Sequence, residues 1–321
     1  MWMSEPRTVF IAGEADRGKR LDHFLREKIP GLSRTRLQGA IRARVTLSWE
    51  ARPRPATSVR PGGEVLIGYL PVPEELMTVE LSILGHGAGW LAIDKPPGIP
   101  VHPVNRVREN SLIRILRRQE ACQTLRLVHR LDRETSGVLL VAEDAPVASF
   151  LSRAFERGDV LKEYLAVVRG VPREDEGVVN LPVGEAHGSR VFTRRGVQRD
   201  GQSAATAWRV ERRLADRALL RVFPRTGRRH QIRVHLAALG HPILGDLLYG
   251  RPDDDYLDLV RGIRDARREQ EGPCRQLLHC ARLVFPDPCG GARIDVSSPP
   301  PADFCEGLRG ALDLEPPTRT P

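Results

Sequence analysis

Two short stretches carry most of the chemistry this sequence can offer. The first is His129-Arg130-Leu131-Asp132-Arg133-Glu134-Thr135-Ser136-Gly137, followed by the apolar run Val138 to Val141. Thr, Ser and Gly favour a tight turn, so Asp132 falls in a loop carried by a strand, where reactive groups are commonly placed. A carboxylate there can act as nucleophile or general base, or it can pair with a neighbouring arginine at the surface. The second stretch runs from Arg225 through Thr226-Gly227-Arg228-Arg229-His230-Gln231-Ile232-Arg233-Val234-His235-Leu236. Its spacing predicts a helix from about Arg229 to Leu239, with Arg229 and Arg233 at i and i+4 on one face. Guanidinia so placed can hold phosphates or neutralise a carboxylate, or simply face water. His230 and His235 have no third ligand beside them, so no metal site is expected. Tyr164, in Lys162-Glu163-Tyr164-Leu165-Ala166, is either a core residue of a strand or an aromatic face for stacking a base.

These residues need a scaffold, and the apolar pattern predicts one. Trp90 to Ile93, Val138 to Val141, Tyr164 to Val168, Ala207 to Val210 and Leu219 to Phe223 read as strands. A helix follows Asp144, burying Val147, Phe150, Leu151, Ala154 and Phe155, and ends at Gly158. Strand-rich with few helices means α+β, with a mixed, mostly antiparallel sheet. Ahead of it, Leu21, Phe24, Leu25 and Ile29 have helical spacing, and Ser33 is a cap for a second helix carrying Leu37 and Ile41. That helix is basic through Arg34, Arg36, Arg42 and Arg44, and two short strands, Val45 to Ser48 and Val65 to Ile67, follow. Pro/Gly clusters divide the chain into a small α/β domain at 15–71, whose Arg-rich helix looks like that of an RNA-binding module, a main domain at 78–300 and a flexible tail at 301–321. The charged segment 251–276 reads as a helical excursion.

The bulk properties narrow the partners. A formal net charge of +9 over 321 residues favours a polyanion. Five cysteines, an odd number with no CxxC, speak against a disulfide framework and for reduced cytosolic thiols. No leader and no membrane span are expected. No P-loop, GxGxxG, GxSxG or HExxH stands in a supporting context, so no cofactor is expected.

In this order, the clusters resemble the RluA-type RNA pseudouridine synthases, over nearly the whole chain. Asp94-Lys95-Pro96-Pro97-Gly98-Ile99-Pro100-Val101-His102-Pro103 is similar to the family's first motif, and His129 to Gly137 matches its signature HRLDxxTSG at every fixed position. Lys162-Glu163-Tyr164 resembles the tyrosine motif, Thr226 to Leu236 and Gly240 to Asp246 the next, and Leu278-His279 a late one. The small domain resembles the RNA-binding module named after a small-subunit ribosomal protein. The resemblance implies the pseudouridine synthase fold and isomerisation of uridines in structured RNA, ribosomal RNA of the large subunit ahead of transfer RNA. It implies Asp132 as catalytic aspartate, Arg233 as the cation that keeps it ionised, and Tyr164 against the uracil. Arg130 is expected to fill the gap left by the extruded base, with His102, Arg228 and Arg229 and the small domain's Arg34, Arg36 and Arg42 contacting RNA. No metal or cofactor is implied, and a cytoplasmic monomer is expected. Arg229 replaces the usual Thr of its stretch, and Ala43 and Ser48-Trp49 replace the Gly and Val-Asn-Gly of the module. An aspartate-based glycosidase would need a second carboxylate that the sequence does not supply. A non-catalytic RNA-binding assembly factor is the other alternative.

Overall fold

The apolar residues gather into separate cores. In a computed structural model that describes residues 7–29, 34–68, 74–104, 107–261 and 273–309, the chain divides into two units, Met1–Leu76 and Met77–Pro321. The first consists of β1 (Arg7–Ile11), α1 (Leu21–Lys28), α2 (Arg34–Arg44), β2 (Val45–Leu47) and β3 (Glu64–Gly68). Its three strands form an antiparallel sheet in the order β1-β3-β2. Leu21, Phe24 and Leu25 lie on one face of α1, Leu37 and Ile41 on one face of α2, and both faces close over Val65 and Ile67 of β3. This spacing is what a helix needs to cover a small sheet. Because β1 pairs with β3 along its whole length, a boundary at residue 15 is too late: Thr8 to Ile11 supplies an edge strand. Arg34 and Arg42 are exposed on α2, whereas Ser33 and the side chain of Arg36 lie outside the described residues.

The second unit runs in chain order through β4 (Ser82–Gly87), β5 (Trp90–Lys95), α3 (Leu112–Gln119), β6 (Arg126–Leu127), β7 (Ser136–Ala142), α4 (Ala145–Arg157) and β8 (Leu161–Arg169). It continues with β9 (Glu176–Asn180), β10 (Val183–Glu185), β11 (Arg195–Val197), β12 (Ala205–Arg213), β13 (Arg217–Pro224) and α5 (Gln231–Ala238). α6 (Asp253–Arg261), β14 (Leu278–Phe285), β15 (Ile294–Ser297) and α7 (Ala302–Arg309) complete it. Eight strands follow the order β4-β5-β7-β14-β8-β13-β12-β9, β6 and β15 add to β7 and β14, and β10 and β11 form a separate ribbon. The fold is α+β. Within the large sheet the β7–β14 pairing is parallel and the others are antiparallel.

Every residue of β7 is buried, as a strand covered on both faces requires. α4 is capped as its sequence predicts: Asp144 Oδ1 accepts from Val147 N at 2.8 Å, and Gly158 takes the left-handed φ of 81° that ends the helix. Three expectations need correction. α5 starts at Gln231, not Arg229, because His230 adopts a left-handed φ of 58°; Arg229 therefore stands ahead of the helix and shares no face with Arg233. α3 was not foreseen, although Leu112, Ile113, Ile115 and Leu116 bury one side of it. The segment from 301 is not wholly a loose tail, since Phe304 of α7 is fully buried with Val167, Leu244 and Leu277. α6 occupies part of the charged excursion, whose residues 262–272 lie outside the described ones. Among the described residues no helix is long and apolar enough to cross a membrane.

Candidate active site

The loop that carries Asp132 joins β6 to β7, and it is fixed from several sides. Lys95, at the end of β5, is wholly buried. Its ammonium donates to the carbonyls of Pro96 at 2.8 Å, Arg133 at 2.9 Å and Thr135 at 2.8 Å. Burial pulls its pKa down to about 7, offset in part by Glu134 and Asp132. Gln276 Nε2 donates to Thr135 Oγ1 at 2.8 Å, and Ser136 Oγ meets His279 Nδ1 at 3.0 Å. At Gly137 φ is +106°, and a Cβ there would lie 2.1 Å from the Cys280 carbonyl oxygen. Only glycine lets β7 approach β14 this closely. On the other side Leu140 N donates to His129 Nε2 at 2.9 Å, and the ring stacks on Phe155 with centroids 4.4 Å apart. Burial lowers the pKa of His129 to about 3, so it is a neutral anchor. The fixed residues of the signature thus hold the backbone on both sides of one carboxylate.

α5 supplies the cation. Arg233 Nη1 donates to Asp132 Oδ2 at 2.8 Å, while its Nε and Nη2 donate to Asp246 Oδ2 and Oδ1 at 2.7 and 2.9 Å. Asp246 is fully enclosed and also accepts from the Leu248 and Tyr249 N–H groups at 2.8 and 3.2 Å. The guanidinium lies 4.9 Å from the centroid of the Tyr249 ring, a cation–π contact. Arg233 is thereby bidentate on Asp246 and turns its remaining nitrogen to Asp132. Burial opposes ionisation of Asp132. His230, Arg233 and Arg130 outweigh it and hold the carboxyl below its ordinary value. The Tyr249 hydroxyl accepts from Arg195 N at 3.0 Å and shares a hydrogen bond of 2.9 Å with His230 Nδ1. Burial lowers the pKa of His230 to about 4, and the neutral ring turns its Nε2 toward Asp132 Oδ1 at 3.9 Å. α5 itself is anchored rather than solvated. Gln231 bridges Thr226, Arg228 N, Ala205 O and Thr206, and His235 spans Thr206 and the Leu181 carbonyl.

Asp132 opens onto a cavity of about 540 Å³. Tyr164 of β8 lines it and is buried. Burial and its hydrogen-bonded neighbour Cys280 keep the phenol proton on well above the ordinary tyrosine value. Arg130, Arg228 and Arg229 also line this cavity. His102 is half-buried, and burial together with Arg130 and Arg229 lowers its pKa. Arg34 and Arg42 belong to the first unit. The structure therefore brings Asp132, Tyr164, Arg233, Arg130, Arg228 and Arg229 to one cavity. Lys95, Asp246 and Tyr249 are the residues that sequence reasoning missed as site builders. Gly245 is the one local hint for Asp246: its φ is +79°, and a Cβ there would lie 1.9 Å from the Arg275 carbonyl oxygen. The assembly offers one ionised carboxylate in a half-open, solvent-reachable cleft, able to attack an electrophilic carbon or stabilise developing positive charge.

Comparison with known proteins places these features in context. Residues 89–238 match the family described as RNA pseudouridylate synthase. The ribosomal large subunit pseudouridine synthase D of Nitrosomonas europaea is 34% identical over 308 residues, 92% of this chain and 86% of its own length. Its counterpart of the same name in Vibrio cholerae is 31% identical over 302 residues, 90% of each chain. Among solved structures, human RNA Pseudouridylate Synthase Domain Containing 4 superposes with a TM-score of 0.55 at 28% identity, covering 71% of this chain and 92% of that one. Human RNA Pseudouridylate Synthase Domain Containing 1 gives a TM-score of 0.56 at 26% identity, with 71% and 86% covered.

Proposed function

We propose, on the premise that this chain belongs to the RNA pseudouridylate synthase family and is an isomerase acting on RNA, that its target is a uridine of large-subunit ribosomal RNA. Relatives spanning nine-tenths of the chain bear large-subunit names, which favours that target over transfer RNA. Asp132 is the catalytic carboxylate. The observation that carries this assignment is its bond to Arg233 at 2.8 Å on the wall of a half-open cavity.

The isomerisation breaks the N1–C1′ bond, turns the base and joins C5 to C1′. The proton on C5 leaves and N1 gains one, so no electrons are exchanged. An ionised Asp132 answers the positive charge that develops as N1 departs. Arg233 keeps it ionised, and Asp246 keeps Arg233 in place. Tyr164 lies against the uracil and serves the proton transfer as a neutral phenol, since burial keeps its proton on. A stacked uridine must first be swung out, at a cost of a few kcal/mol, and Arg130 fills the gap it leaves. His102, Arg228 and Arg229 face the RNA beside the cavity, and Arg34, Arg36 and Arg42 contact it from the small unit. The protein works in the cytoplasm as a monomer.

The test is tritium release from 5-tritiated uridine in RNA. Asp132→Asn is expected to lower turnover at least ~10³-fold, on the order of losing one essential catalytic group, with RNA affinity nearly unchanged. Retained turnover refutes the assignment of Asp132, and a preference for transfer RNA over large-subunit RNA refutes the target.

A further inference from the structure

Beside the Asp132 cavity lies a second hollow of about 430 Å³, lined by Glu185, Arg195, Asp200 and Gln202. Arg228 and Arg229 line both hollows and so form the wall between them. The two arginines differ. Arg228 is tied down, its Nε donating to the Ser203 carbonyl at 3.1 Å. Arg229 is not: its Nε is enclosed with no hydrogen-bond acceptor, and among the described residues no carboxylate forms an ion pair with it. Burial lowers its pKa, and Arg130 and Arg195 press in the same direction against the weaker pull of Asp132 and Tyr249. Half-buried His102 borders the same group and feels Arg130 and Arg229 together. A guanidinium held half-buried, short of an acceptor and flanked by like charges is arranged for an anion that arrives with the substrate.

Building on the RNA reading above, we propose that Arg229 seats one backbone phosphodiester of the RNA on the wall between the two hollows. The target nucleotide then drops to the Asp132 side, and its neighbour in the strand lies on the Glu185 side. A phosphodiester offers two oxygens to a planar fork of donors, the geometry that a guanidinium satisfies best. The second hollow, with two carboxylates and an amide in its lining, becomes a subsite where polar groups meet the flanking base.

The test uses the full chain and a synthetic RNA containing one 5-tritiated target uridine of large-subunit RNA. Each linkage near that uridine is replaced in turn by an uncharged methylphosphonate. Arg229→Gln is expected to raise KM about tenfold, the equivalent of one charge-assisted hydrogen bond, with kcat within about twofold because Asp132 and Arg233 are untouched. One methylphosphonate linkage, and only one, should raise the wild-type KM by a similar factor. Combining that linkage with Arg229→Gln should cost nothing more, the signature of two changes that remove the same interaction. Arg229→Lys should restore part of the affinity. Additive losses at every linkage, or a fall in kcat with KM unchanged, overturn the seat alone. Failure of the wild-type chain to release tritium from any large-subunit RNA overturns the RNA reading, and the seat with it.

Discussion

Asp132 is four-fifths covered, ionised, and hydrogen-bonded through one guanidinium nitrogen of Arg233. These conditions set how the reaction answers to pH. Its folded pKa lies below the ordinary value of 3.8, so the charged form is fully present above that value and is lost only as pH falls through the lower one. The rate is therefore expected to hold level on the acid side down to pH values where other carboxylates are half protonated. In Arg233→Gln the hydrogen-bonded cation is gone while burial remains, so the acid limb should move up by ~1–3 units. Arg233→Lys keeps a positive charge and should keep the limb low. Superimposable pH–rate profiles for wild type and Arg233→Gln would contradict the pairing. The same substitution strands Asp246, which is fully enclosed, and should destabilise the fold by ~3–5 kcal/mol. At this scale the sequence was legible where residue type announces chemistry: Asp132, Tyr164 and Arg233 stood out in motifs. Lys95 and Asp246 stood inside resembling stretches without a role and Tyr249 outside them, because their parts arise from pairings between distant segments that no local pattern records.

Among the elements, the approach of β7 to β14 depends on Gly137. A methyl group there would stand 2.1 Å from a backbone oxygen, and φ is +106°. Gly137→Ala is expected to cost at least ~1–3 kcal/mol for the strained backbone alone. Because β7 anchors the end of the Asp132 loop, kcat should fall with stability. Urea unfolding alongside tritium release checks this, and a variant of wild-type stability and rate would show that the close approach is dispensable. Strand positions were readable from β-branched runs, and α4 from its spacing and both of its caps. α5 was placed two residues too early because arginines four apart look helical, whereas His230 turns left-handed and starts the helix behind itself. α3 escaped notice because its apolar face is short and set among arginines. The position of β14 between β7 and β8 could not be read at all, since sheet order is decided by packing between segments far apart in the chain.

On the scale of the whole molecule, two units each own a core, and the chain carries a net charge of +9. Removing residues 1–76 should leave the second unit folded and able to turn over a short RNA. It should also flatten the salt dependence of RNA binding, by about one unit of slope for each phosphate that is no longer neutralised. An unchanged slope would mean that the small unit does not touch RNA. The sequence suggests a break near Pro71 and Pro73, and the fold puts the unit boundary at Leu76. Its outer edges were not, because β1 and α7 are short and are held in place only through partners elsewhere. That dependence on distant partners extends to the moment of synthesis. Arg275 and Gln276 grip Glu134 and Thr135 from 141 residues further along the chain, and β14 must slot between strands already made. A growing polypeptide therefore carries its signature motif long before it carries a working centre. It is expected to stay inert toward RNA until β14 is made and the sheet has closed, so a chain truncated ahead of Leu278 should release no tritium from 5-tritiated uridine.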